Sequence, residues 1–249
     1  MFMKYWLPIL VFFSSFYAFS QNDLTDKKLY HNTYDAKKVI DETYGIVMYE
    51  KLNMMLGDKS TRNGMNGYAA NGFLEDYYTT GELLHKGFYV DGQLKIYKNY
   101  YPNGNVERNF RMVDIKKSKM TLFYENATMK SDIVYVENEP LSWIDYYANG
   151  MIEFEEIYDK SFQYYERKAT YFTSGKPENI LELTDNKKLI YNQISYFENG
   201  NIKEQGIVKY NKSMFDYERI GDWKLYDEKG AAIKIQKYVN GVIHSEQNL

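Results

Sequence analysis

The sequence has 249 residues, with 31 Lys and Arg against 34 Asp and Glu, so its formal net charge is −3 at pH 7. This mild acidity excludes the basic footprint on which nucleic-acid binding depends. The absence of cysteine excludes disulfides and cysteine-ligated metal sites. The 27 tyrosines and only 4 prolines favour β-structure, because tyrosine suits a pleated, half-buried surface.

Residues 1–20 are typical of a secretory signal peptide. One positive charge, Lys4, precedes an apolar run over residues 5–19, and Ala18-Phe19-Ser20 forms a small-x-small cleavage site before polar residues. The alternatives are an uncleaved anchor and a buried helix, but a membrane-spanning helix needs about 20 apolar residues. We therefore expect an exported chain, periplasmic or extracellular, that begins near Gln21 and has no transmembrane segment after cleavage.

Residues 21–60 lack the repeat that follows and are predicted to form an N-terminal cap. Apolar residues in 39–56 recur at helical spacing, which favours one or two helices. An opening strand over 46–52 is the alternative, because Gly45 interrupts the helical pattern. Either structure would cover the open edge of the first repeat.

Residues 61–249 contain an internal repeat of 23 to 25 residues, which predicts a β-repeat domain. Each copy has two aromatic residues, two mostly polar residues, a glycine, one further residue and usually an aliphatic residue, as in Tyr77-Tyr78-Thr-Thr-Gly81-Glu-Leu83. The turn position recurs at residues 81, 104, 127, 150, 175 and 200, with Ala127 in place of glycine in the third copy, and a last, looser copy ends at Gly230 after a spacing of 30 residues. A second turn signal falls 10 to 11 residues after each of these positions.

Between the turns, apolar and polar residues alternate. Ile152 and Phe154 alternate with glutamates, and Val106 has the same parity as Phe110. This alternation places one row toward a core and the other toward solvent, and tight turns make neighbouring strands antiparallel. We therefore predict an all-β fold, an elongated antiparallel β-meander of tandem hairpin repeats with a short N-terminal helical cap.

Two kinds of unit resemble known repeats. The unit Gly221-Asp-Trp223-Lys-Leu-Tyr226-Asp-Glu-Lys-Gly230 resembles the MORN repeat, whose core is Gly-x-Trp/Phe-x-x-Tyr with a later glycine. The aromatic and Asn-Gly units over 77–241 are similar to the bacterial variant in YwqK-type antitoxins, a MORN-like repeat family. The resemblance implies stacked hairpins that contact proteins or lipids without catalytic residues. The predicted signal peptide departs from that family's pattern and argues against a cytosolic antitoxin role.

The sequence offers little that points to catalysis. Its three histidines, at positions 31, 85 and 244, are far apart, so we predict no metal site, no cofactor and no catalytic residue. Glu153 and Glu155 could serve as a carboxylate pair for glycoside hydrolysis. The outward row of every repeat is charged, however, which favours a solvated face with cross-strand partners for these glutamates.

The repeated aromatic pairs supply the candidate binding residues. Aromatic rings bind peptides, glycans or lipid headgroups with little loss of conformational entropy. The alternative interpretation is that one ring of each pair belongs to the core and the other stiffens the sheet. The predicted binding residues are Tyr78, Tyr101, Tyr124, Tyr147, Phe172, Phe197 and Trp223.

These observations predict an exported, non-catalytic repeat protein that binds or scaffolds a protein partner along one face of its sheet. Two alternatives remain open. One is an immunity or antitoxin-like protein that neutralises an envelope toxin, and the other is a module that binds envelope glycan or lipid. Nucleic acid is not an expected partner.

Overall fold

A computed structural model describes residues 46–56 and 58–249 of the chain. The predicted signal peptide and residues 21–45 of the predicted cap lie outside the described residues. The described chain begins with helix α1 (Ile46–Lys51) and a 3-10 helix (Met54–Leu56), which precede fifteen strands. The strands are β1 Gly72–Tyr77, β2 Leu83–Val90, β3 Gln93–Tyr100, β4 Val106–Met112, β5 Lys117–Phe123, β6 Met129–Val136, β7 Glu139–Tyr146, β8 Ile152–Tyr158, β9 Tyr165–Tyr171, β10 Pro177–Asp185, β11 Ile190–Tyr196, β12 Ile202–Asn211, β13 Asp216–Tyr226, β14 Ala232–Val239 and β15 Val242–Asn248.

All fifteen strands form one open sheet in chain order, with β1 and β15 at its two edges. Every neighbouring pair is antiparallel, as strands joined by short turns must be. The predicted antiparallel β-meander with a short N-terminal helix is therefore confirmed. The alternative of an opening strand over 46–52 is wrong, because α1 occupies this segment.

The repeated glycine position closes the same turn in the seven hairpins that carry the motif. In the first copy the Tyr78 amide donates to the Glu82 carbonyl at 2.8 Å, and the Gly81 amide donates to the Tyr78 carbonyl at 2.9 Å. The glycine position has a positive φ, which is +100° at Gly81 and +66° at Ala127. The second turn expected 10 to 11 residues after Gly200, at Tyr210-Asn211, lies instead over 212–215, because β12 continues through Asn211.

A β-bulge next to each glycine turn changes which side chains share a face. In the β7–β8 hairpin Asp145 pairs with Phe154, but Tyr146 pairs with Ile152, so one extra residue is inserted in β8. The prediction that Ile152 and Phe154 share a face is therefore wrong. An equivalent bulge in the β3–β4 hairpin places Val106 opposite Tyr100, so Val106 does not share a face with Phe110 as predicted. The aliphatic residue of each motif thus lies on the same face as the first aromatic residue, opposite the core.

One face of the sheet, here called the core face, carries both main clusters of buried side chains. The larger cluster includes Tyr97, Phe110 and Ile133, and the N-terminal segment covers it with Tyr49 and Leu52. The smaller cluster lies on later strands and the turn between β10 and β11, and it consists of Leu189, Tyr191, Val208 and Trp223. The opposite side of the sheet is called the outer face.

A buried polar network ties the N-terminal segment to the first strands on the core face. Arg62 donates two hydrogen bonds to Asp76, at 2.5 and 2.7 Å, and a third to the Tyr89 hydroxyl at 3.0 Å. The His85 ring bonds to Tyr89 and Asn99 and is stacked under Tyr49. Burial lowers the pKa of His85 to about 4, so the ring is neutral at physiological pH. These groups lie beneath the N-terminal segment and hold it against the first strands.

Ala127 provides a test of the turn geometry, because an L-residue in the left-handed region is strained by roughly 1–2 kcal/mol. We expect Ala127→Gly to raise the melting temperature, with a gain of about 0.5–1 kcal/mol after the larger entropy loss of glycine. Gly104→Ala is the matched reverse change at a position with φ +84°, and it should destabilise by a similar amount. Differential scanning calorimetry measures both. A change of the melting temperature in the same direction in both variants would contradict a shared positive-φ turn at the two positions.

Candidate functional site

In the first four motifs the second aromatic residue is a tyrosine that holds neighbouring repeats together. Tyr78 and Tyr101 are only 2% and 6% exposed. The Tyr78 hydroxyl donates to the carbonyl of Tyr100, one repeat later, at 2.7 Å. The same bond recurs from Tyr101 to Phe123, from Tyr124 to Tyr146 and from Tyr147 to Tyr171, at 2.7 to 2.8 Å. We call this series of bonds the tyrosine ladder.

Of the remaining predicted binding residues, Trp223 is buried in the core, whereas Phe172 and Phe197 are partly exposed. Trp223 is 0% exposed, its indole N–H donates to the Ile207 carbonyl at 3.1 Å, and Arg219 covers its ring at 3.9 Å. Phe172 and Phe197 are partly exposed and occupy the ladder position without a hydroxyl group. Three of the seven predicted residues, Tyr78, Tyr101 and Trp223, are therefore too buried to anchor a partner.

The asparagine of the turn adds a second connection between repeats. Asn149 accepts a hydrogen bond from the Met151 amide at 3.0 Å, which closes its own turn. Its side-chain amide donates to the Thr173 carbonyl of the next turn at 2.8 Å. Asn103 and Asn199 make the equivalent pairs of bonds. The motif therefore encodes contacts between repeats as well as the turn itself.

We expect Tyr147→Phe to destabilise the protein by about 1 kcal/mol, because the Tyr171 carbonyl loses its side-chain donor. Phe172→Tyr is the matched opposite change, since it restores a hydroxyl at the next ladder position, and it should be neutral or stabilising. Urea denaturation of both variants measures the difference. A neutral Tyr147→Phe would show that the ladder contributes nothing to stability.

The first aromatic residue of each motif lies on the outer face and pairs with the motif's aliphatic residue. Tyr146 pairs with Ile152 in β7–β8, and Tyr171 pairs with Pro177 in β9–β10. Paired residues of an antiparallel sheet project from the same face. The pairs form a continuous row near the glycine turns, here called the outer strip. Its members are Tyr77/Leu83, Tyr100/Val106, Phe123/Met129, Tyr146/Ile152, Tyr171/Pro177, Tyr196/Ile202 and Tyr226/Ala232.

The row beside the outer strip changes character along the sheet. In the first six strands it is polar or charged, with Lys98 and Asp132 among its members. From β7 onward it gains Ile144, Ile180 and Ile194. Strip and row together form a contiguous apolar surface, here called the outer patch. It consists of Ile144, Tyr146, Ile152, Tyr171, Pro177, Ile180, Ile194, Tyr196 and Ile202, each partly exposed.

The outer patch contains one cluster of paired charges. Arg167 donates to Glu155 at 2.8 Å and lies 3.6 Å from Glu182. The Tyr171 hydroxyl lies 3.3 Å from the same Glu155 carboxylate. The hydrogen bond to Glu155 raises the pKa of Arg167, so the guanidinium stays charged. Glu155 is thus an ion-pair partner, as predicted from the cross-strand pattern.

A shallow depression of about 250 Å³ adjoins the outer patch. It spans β11 to β13 and shares Ile194 with the patch. Its remaining outer-face lining is largely polar and consists of Asn192, Gln205, Ile207, Asp222 and Lys224. The depression extends the patch toward the C-terminal end of the sheet.

Within the described part of the chain, no group of three His, Asp or Glu side chains is placed to hold a metal ion. None of the helices described there is long and apolar enough to cross a membrane. Comparison with protein-family models and with curated proteins found no match to this chain. The resemblance to MORN-like repeats therefore rests on the repeated residues alone and stays a prediction.

Sequence reasoning identified the aromatic pairs but not the role of each ring. The residues it missed are the first aromatic of each motif and the aliphatic residue two positions after the turn glycine. Their signal was the regular recurrence of an aliphatic residue at that position. Strict alternation of inward and outward residues assigned this aliphatic residue to the core, because the alternation pattern does not reveal a β-bulge.

Proposed function

We propose that this protein is an exported, non-catalytic binding module that contacts a protein partner through the outer patch. The observation that carries the proposal is a contiguous apolar surface on a face that the described N-terminal cap does not cover. The secretory character of residues 1–20 supports the export.

The size of the outer patch supports a binding role. It spans six strands and two rows of side chains, which corresponds to roughly 400 Å² at about 4.8 Å per strand and about 7 Å per row. The largest contiguous apolar patch on a monomeric protein is typically about 300–600 Å² and is often functional. Its composition supports the same role, since tyrosines are enriched at protein interfaces.

The shape of the surface favours a macromolecule over a small ligand. Small-molecule sites are concave and enclose most of their ligand, whereas the outer patch lies on an open sheet with a shallow depression at one side. A partner with its own flat or ridged surface can cover several strands together. The tyrosines at 146, 171 and 196 would supply the anchors.

Site-specific photo-crosslinking in cells tests this proposal. A probe in place of Tyr146 or Tyr196 should yield one dominant protein adduct, because both positions lie in the outer patch. A probe in place of Glu246, an exposed residue whose strand partner Gln236 lies on the core face, is the control and should yield none. Mass spectrometry identifies the adduct.

The captured protein is then purified and its affinity measured directly. Ile194→Lys should weaken binding at least about tenfold, since a charge would be placed in an apolar contact. Absence of any adduct at Tyr146 and Tyr196, or equal adducts at Glu246, would contradict a partner site on the outer face. Retention on envelope glycan or lipid without an adduct would favour those partners instead.

A further inference from the structure

We infer that the outer patch binds the outer patch of a second copy of this chain, which gives a two-fold dimer of sheets packed face to face. The inference rests on the proposed function, because it names the partner of the same surface. A sheet with an apolar face is normally buried against another layer. Here the N-terminal segment covers the core face over the larger buried cluster, and the described residues place no layer on the outer face.

A second copy matches the outer patch in shape. Packed sheets align within about 30° of each other because of their twist, and side chains of the two inner faces interdigitate. The aromatic residues of the outer strip recur every second strand, a spacing of about 9.6 Å. Two identical sheets have the same spacing and the same twist, so the aromatic rows of one can fit between those of the other over several repeats.

The available area is sufficient for a stable dimer. Strands β7 to β14 and three rows of outer-face side chains cover about 38 by 20 Å, or roughly 800 Å² per copy. Standard interfaces bury about 800 Å² per partner. The apolar patch would form the centre of this interface, and the polar residues of the depression would form its rim.

The charge pattern restricts the contact to the C-terminal half. In the N-terminal half Lys86 and Lys119 form ion pairs with Glu75 and Asp132. Lys98 lies directly opposite Lys86, and Arg111 lies opposite Lys119, so both add further positive charge to this face. Two such faces would repel when stacked, because like charges would face each other. In the C-terminal half Arg167 is paired with Glu155 and Glu182 within one copy, so one arginine against two glutamates leaves only a single net negative charge in this cluster.

Sedimentation velocity of the mature chain from about 1 to about 100 µM tests the inference. Wild type should form a dimer, and Ile180→Lys should raise the dissociation constant at least about tenfold. Ile96→Lys is the matched control, since Ile96 is an exposed isoleucine on the same face but outside the patch. Melting temperatures of all three proteins report whether each variant is folded.

A monomeric wild type at the highest concentration would overturn the dimer, as would equal weakening by Ile96→Lys. If Ile180→Lys fails to fold, Ile194→Lys replaces it. The crosslinking experiment distinguishes failure of the dimer from failure of the proposed binding function. A monomer that still captures another protein through Tyr196 overturns self-association alone, whereas a monomer that captures nothing overturns the proposed function as well.

Discussion

The hydrogen bond from each ladder tyrosine to the backbone of the next repeat is the contact on which the array depends. Each repeat meets mainly its neighbours, so stability is set by the interfaces between consecutive units. The tyrosine ladder ties the glycine-turn ends together from Tyr78 to Tyr171, and the turn asparagines add a second bond along the same edge. The ladder thereby ties together the first nine strands of the fifteen-stranded sheet, and Asn199 links the later turns through its bond to Glu228.

The bulge beside each glycine turn has a consequence for the outer face. Without it, Ile152 would join Phe154 on the core face, and the outer strip would lose its aliphatic residues. With it, aromatic and aliphatic residues form a continuous outer strip. Isoleucines such as Ile180 widen that strip in the C-terminal half, whereas lysines flank it in the N-terminal half. The two halves of one repeated sheet therefore present different surfaces.

Much of the fold could be predicted from the sequence, because glycine turns at a fixed period impose short antiparallel strands. The turn at Ala127, which lacks the glycine, could be predicted only from the spacing of the repeat. The face of Ile152 could not be predicted, since a bulge breaks the parity on which the argument relied. The burial of Trp223 also escaped prediction. It depends on Gly206 in the neighbouring strand, where a Cβ would lie 2.4 Å from the indole ring.

The central claim is that the two rings of each aromatic pair have opposite roles. Tyrosine nitration of the folded protein, mapped by peptide mass spectrometry, tests it within single motifs. The account predicts rapid nitration of Tyr77, which is 40% exposed, and protection of its neighbour Tyr78, with the same order for Tyr100 and Tyr101. Equal or faster modification of Tyr78 and Tyr101 would contradict the tyrosine ladder and the outer strip together.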